Sequence, residues 1–430
     1  ITYNEIAGDL QAGHINSTEG DVVLNSSAKI TDADNLPTVD VTAANITLNS
    51  GVDTMLPMDL MPTSPTVSGI GSADNFLEIN TAKGGSGVLT AWDSDSVAGS
   101  PTVATTAMGI YLDEVAGDMP VNIIASDANV SLRTVDGSVA DANIDNSINV
   151  YGQTIDIDAN GGGIGAFDND LEIDSQYGVA DNTSTTAAGN DVALEASGDI
   201  HVEEADGGLR LVLAHSFTGD INLLVRETAE LDEDLIIVEA GTARFAENNA
   251  RGPSNQTDAD RVINNGSIFA EQGSITLRVG DDIYFDDNAD VLAAESIDVF
   301  ADFGGGDAGH GADVVLQGRI IAGADVTLGS QSGGDPMGTA VPTFVAPTFV
   351  TTIRGSGDVD DIQFGDTTGI SGTSTQGEDG YIFLGSKTRV LAGGNEDNVS
   401  VYYLQDTATV TSPAQLDVLT ALGHHNADHT

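Results

Sequence analysis

A chain of 430 residues with 40% apolar content can bury a large core, as two domains or as one elongated solenoid, and is not of disordered composition. Asp and Glu total 67 against 13 Lys and Arg, a formal charge of −54, which excludes nucleic acid and anionic membrane surfaces as partners. No cysteine is present, so disulfides and thiol chemistry are excluded, and no apolar run approaches the roughly 18 residues of a membrane span.

Aromatic residues make up only 5% of the chain, Gly reaches 51 residues, and the apolar residues are largely Val, Ile, Leu and Ala. That balance predicts many short strands joined by tight turns. The chain opens on Ile1 rather than Met, which reads as a processed or excised polypeptide.

A short phrase recurs along the chain. A small or acidic residue precedes a β-branched residue and an alternating apolar pattern, as at Gly20–Leu24 (GDVVL) and Asn45–Leu48 (NITL). Between 55 and 66, Met-Leu-Pro-Met-Asp-Leu-Met-Pro-Thr-Ser-Pro breaks the pattern, and its three prolines predict a loop or an edge cover. The phrase returns at Asn129–Leu132, Asp191–Leu194, Gly198–Val202 and Gly219–Leu223. Gly161–Ala166 (GGGIGA) matches a loose dinucleotide-binding pattern, but strand-like sequence follows it rather than a helix, so it reads as a turn.

The repeat is plainest from Gly266 to Ser330. Ile268 and Val291 are 23 residues apart, as are Val291 and Val314; Ile275 and Ile297 are 22 apart, and Ile297 and Ile320 are 23 apart. A coil of about 22 residues with two or three short strands is the repeat of a parallel β-helix. The fold expected is therefore all-β, a parallel β-helix or solenoid with irregular coils and loop insertions. The alternative is a set of tandem β-sandwich domains, whose strands also alternate. Residues 1–332 read as the solenoid, 333–352 (with Pro-Thr-Phe-Val twice) as a linker or projecting hairpin, and 353–430 as a C-terminal β region with a frayed tail.

The Gly-Asp-Ile/Val-x-Leu phrases resemble those of filamentous-haemagglutinin-like exoproteins and giant repetitive bacterial surface adhesins. The resemblance covers about 121–330 and implies a right-handed β-helix, secretion, and a role in attachment or surface structure. This chain departs from it in being more acidic and less regular in coil length.

Calcium is the cofactor the acidic turns suggest, because carboxylates clustered at turns can converge on one hard cation. The candidate ligands are Asp281, Asp282, Asp286 and Asp287 around the strand at 283–285, with Asp302, Asp307 and Asp313 beside the Gly-rich insert. Gly309–Val315 fits most of a glycine-rich calcium nonapeptide, with Ala308 in place of its first glycine. A saline habitat would give the same acidity without specific sites. Eight sequons, at Asn16, Asn25, Asn45, Asn129, Asn182, Asn255, Asn265 and Asn398, are glycosylation candidates.

No Gly-x-Ser-x-Gly elbow, P-loop or His-Glu-x-x-His occurs. The expectation is a non-enzymatic, secreted or cell-surface structural or adhesive solenoid, cation-stabilised, whose partners are copies of itself or a cell-surface glycan. Alternatives are a subunit of a self-assembling filament or surface layer, and a polysaccharide-acting β-helix enzyme.

Overall fold

The computed structural model describes residues 1–17, 19–51, 67–81, 87–93, 106–175, 190–228, 233–238, 266–286, 289–304, 311–323, 350–354, 361–364, 382–384, 387–391 and 398–401. The Pro-rich loop at 55–66, the stretch 333–349 and the C-terminal tail lie outside them.

Every strand ladder among the described residues is parallel, and the only antiparallel pairings are isolated bridges in tight turns, Ser72 with Asn75 and Ala166 with Asn169. A β-sandwich requires antiparallel sheets, so the tandem-sandwich alternative is overturned. The protein is a parallel β-solenoid with no closed barrel.

The described residues fall into two compact units, 1–206 and 207–401. In the first, one face stacks Thr2–Glu5, Val22–Ser26, Asn45–Ser50, Val88–Asp93 and Met119–Ala125 in order. A second face stacks Leu10–Ala12, Lys29–Asp32 and Val67–Ile70, and a third stacks Ile15–Asn16, Val41–Thr42 and Leu77–Asn80. The nine-residue strand Thr106–Glu114 then spans both, pairing with Val67–Ile70 through its first half and with Leu77–Asn80 through its second. The corner between those faces is straightened there, and a new corner opens on the first face, where Met119–Ala125 divides its partners between Val139–Asp141 and Val150–Tyr151 of the next coil. Gly71, with φ +64°, makes the straightened corner in the coil before, and a Cβ there would meet the Tyr111 carbonyl oxygen at 2.4 Å.

The second unit contains the reverse change. Leu209–Ser216 is one straight strand, and the next coil divides its partners between Leu235–Ile237 and Ser267–Ala270. Three-faced coils follow.

The core is a set of in-register apolar rows. Leu24, Leu48, Ala91, Ile124 and Val150 are successive partners in the first unit, all fully buried. Leu223, Leu277, Val299 and Ile353 form the matching row in the second.

The 22–23-residue spacing holds where no insert intervenes: Ile268 pairs with Val291, and Ile275 with Ile297. It fails afterwards. Val291 pairs with Ile320, Val314 pairs back to Ile283, and Ile297 pairs with Thr351. A constant period assigns residues on either side of the Gly-rich insert to the wrong face, because loops at corners lengthen a coil without adding a rung. Val350–Arg354 begins inside the stretch expected to be a linker, and it pairs with Ile297–Phe300 and Lys387–Leu391. The two compact units divide between residues 206 and 207.

The register makes a prediction. Leu48→Ala removes a core rung and should lower unfolding stability by about 2–5 kcal/mol, while Thr47→Ala, on the outer side of the same strand, should change it by less than about 0.5 kcal/mol. Urea unfolding followed by circular dichroism reads both; equal losses would mean the register is shifted by one residue.

Candidate functional site

In the second unit the residues expected to hold calcium are only partly brought together. Asp281 and Asp282 form the turn before Ile283–Phe285. They stack on Glu233 and Asp234 of the previous coil, with Asp313 of the next coil beyond. The contacts are backbone amides on carboxylates. The Glu233 amide donates to Asp281 Oδ2 at 3.1 Å, the Asp282 amide to Asp234 Oδ1 at 3.2 Å, and the Asp313 amide to Asp282 Oδ1 at 2.6 Å. The Tyr284 hydroxyl donates to Asp282 Oδ2 at 2.7 Å. Asp234, Asp281 and Asp282 each cap the turn of a neighbouring coil, the role Asp commonly plays in turns. The remaining candidates separate. Asp286 lies at the other end of the strand, on the side of Arg210. Asp302 is buried in a left-handed conformation, φ 47°, and reaches Asp281 through its backbone amide at 3.4 Å. Asp287, Asp307 and the first residues of the nonapeptide-like stretch, 308–310, lie outside the described residues.

Burial, reinforced by neighbouring like charges, raises carboxyl affinities for protons in this row. Burial, then the Asp282 charge, pushes Asp234 up to about 7. Burial, then a hydrogen bond shared with Glu233, pushes Asp281 up to about 8.

The first unit holds a tighter group that sequence reasoning did not single out. Asp32 ends the strand Lys29–Asp32, and its Oδ1 accepts the Asp34 amide at 2.9 Å across an Asx-type turn. Asp40 leads into Val41–Thr42, and Glu78 lies in Leu77–Asn80 on the next coil. The Asp40 amide donates to the Glu78 carbonyl at 2.9 Å, and the Glu78 amide to Asp40 Oδ2 at 3.4 Å. One carboxylate oxygen from each of the three lies within 4.8 Å of the others, the only such trio among the described residues. Asp32 is 7% exposed, Asp40 2% and Glu78 0%. Asp32 Oδ2 has no hydrogen-bond partner. One coil further, Asp113 sits beside Glu78 in the ladder, and its Oδ2 is 2.5 Å from the Arg133 guanidinium, which also stacks over the Phe76 ring. The sequence signal, where any exists, is an acid in phase with a core residue: Asp32 follows Ile30 by two, the spacing of one strand face.

Two further glutamates share one arrangement. Glu114 ends its strand and receives the Thr81 amide at 3.0 Å and the Thr81 hydroxyl at 2.8 Å. Glu204 receives the Ser175 amide at 2.9 Å and the Ser175 hydroxyl at 2.8 Å. In each pair the hydroxyl residue directly follows a strand, and the Glu ends the strand stacked beneath. Burial raises both acids, Glu114 to about 8 and Glu204 well above the usual carboxylate range, despite these donors.

The sequons divide by surroundings. Asn16 and Asn45 are exposed, while Asn25 and Asn129 are half-buried. The Asn25 amide donates to Asn4 Oδ1 at 2.7 Å and its oxygen accepts from Asn49 at 2.8 Å, so a glycan there would break an asparagine ladder. Asn398 begins the strand Asn398–Val401. Asn182, Asn255 and Asn265 lie outside the described residues.

No protein-family model, curated protein or solved structure matches the chain.

The glutamate clamps carry a pH prediction. A carboxyl whose folded pKa lies above its unfolded value gives its full stability below the unfolded value, near 4.5 for Glu114, and loses it as pH rises through about 8. Glu114→Gln should therefore melt higher than the parent at pH ~8.5, with the difference shrinking toward pH ~5. Melting curves of both proteins across that window check it; a constant difference would show that Glu114 stays ionised.

Proposed function

We propose that this chain is a secreted or cell-surface β-solenoid that acts through attachment or by building extracellular structure, and is stabilised by cations. The observation that carries this reading is the unbroken parallel stacking within each unit. Coils repeat about every 4.8 Å along the stack, so any outward side chain recurs as a row rather than as a single point. The Asn4–Asn25–Asn49 ladder and the row through Asp234, Asp282 and Asp313 are such outward or turn rows, and they spend their polar groups on holding coil to coil. A charge of −54 suits a surface that faces water and inorganic cations.

Self-association is the second reading, and one observation favours it. Ile1, Tyr3 and Ile6, in and around the strand Thr2–Glu5, are exposed together and form an apolar patch that a second copy of the chain would cover.

Labelling intact and permeabilised producing cells with antibody to the protein tests the main reading. Intact cells should label as strongly as permeabilised ones; labelling only after permeabilisation would overturn it. Electron microscopy of the purified protein with calcium separates the two forms: filaments lost on Tyr3→Lys support self-association, and dispersed particles in both proteins support the attachment role.

A further inference from the structure

We propose that Asp32, Asp40 and Glu78 form a binding site for one calcium-class divalent cation that clamps two successive coils of the first unit at a corner. The inference concerns the fold's own chemistry and does not depend on where the protein acts.

Oxygens held about 2.3–2.6 Å from a shared calcium can be no more than roughly 5 Å apart. The three carboxylates each bring one oxygen within 4.8 Å of the other two, which fits one such shell. They come from three strands or strand entries: Asp32 and Asp40 flank one corner, and Glu78 belongs to the coil stacked on it. An ion there bonds to both coils, a cross-coil link in addition to the backbone ladder.

Asp32 is more than nine-tenths buried, and its Oδ1 is taken by the Asp34 amide while Oδ2 has no hydrogen-bond partner. A buried carboxylate oxygen without a partner is costly, and burial of ionised groups is tolerated when they are paired or bound to a metal. The neighbouring cation, Arg133, is engaged with Asp113 at 2.5 Å and does not supply that partner. A divalent ion supplies it and offsets two of the three charges. Oxygen-only ligands, with room for water or backbone carbonyls to complete the shell, select calcium over softer metals.

The competing explanation is that the three acids share protons. The two accounts predict opposite responses to neutralising one acid. Thermal melting of the full chain is measured in chelator and with calcium, in about 1 M sodium chloride, where diffuse binding to surface acids is screened to about 3 Å. The wild-type protein should gain roughly 5 °C with calcium at about 100-fold over its Kd. Glu78→Gln and Asp32→Asn should each weaken the apparent calcium affinity at least about ten-fold and lose that gain. The proposal is overturned if both variants respond to calcium as the wild type does. It is also overturned if the wild type does not respond while Glu78→Gln melts higher in chelator, the signature of proton sharing. Should the variants fail to fold, calorimetric titration of the wild type with calcium in the same salt still decides: a saturable site supports the proposal, and its absence overturns it.

Discussion

The constraint on which the molecule depends is that every coil must satisfy the polar groups of its neighbours in register. A strand in a parallel stack finds its backbone partners only in the coils on either side. The side chains obey the same rule. Thr81 serves Glu114, Ser175 serves Glu204, and Asn25 serves both Asn4 and Asn49, each across one rung. Inside the first unit, Ser50 and Ser126 both reach the buried Asp93, at 3.3 and 3.2 Å. Polar atoms that would be liabilities in one coil become links between two. This is why single coils have no independent stability and why a lost rung is felt by both neighbours.

A chain so acidic must also place carboxylates where water does not reach, and it does so in different ways. Some acids are matched by arginine: Arg133 meets Asp113, and Arg319 forks onto Asp290. With few cations in the sequence, this solution is scarce. Others hold a proton to higher pH than a free carboxyl, because burial displaces Glu114, Glu204, Asp234 and Asp281 upward. A protonated acid is an ordinary hydrogen-bonding group, cheap to bury and sensitive to pH. The corner trio is the place where a divalent ion serves best, because three carboxylates converge there and Asp32 Oδ2 has no donor.

Legibility in the sequence follows the same physics. Ile275 and Ile297 were readable as stacked partners because nothing but a tight turn separates each strand from the next. Past Phe303 the Gly-rich insert shifts the count, and the true partner of Ile297 is Thr351. Corner loops are outside the ladder, so their lengths leave no periodic trace. The two long strands were also hidden: Thr106–Glu114 and Leu209–Ser216 each run through what is a corner in the adjoining coil, and no local residue pattern announces a straightened corner. Among candidate ligands, Asp281, Asp282 and Asp313 drew attention because acids crowd that stretch. Asp32, Asp40 and Glu78 did not, since each is a single acid in an apolar or turn phrase, and only stacking makes them neighbours.

Salt and calcium, the two accounts of the acidity, can be separated by burial. Dissolved ions screen charges that face solvent, with a Debye length of about 8 Å at physiological ionic strength. Exposed acids such as Asp21 and Asp313 fall within that reach. Asp32, Asp40 and Glu78 are removed from water, and mobile ions outside the surface relieve their repulsion only weakly. A saline habitat therefore accounts for the acids on the outer rows and leaves the corner trio unexplained. Whatever neutralises that trio must enter the fold with it, as a bound proton or a bound ion, and so belongs to the folded state itself.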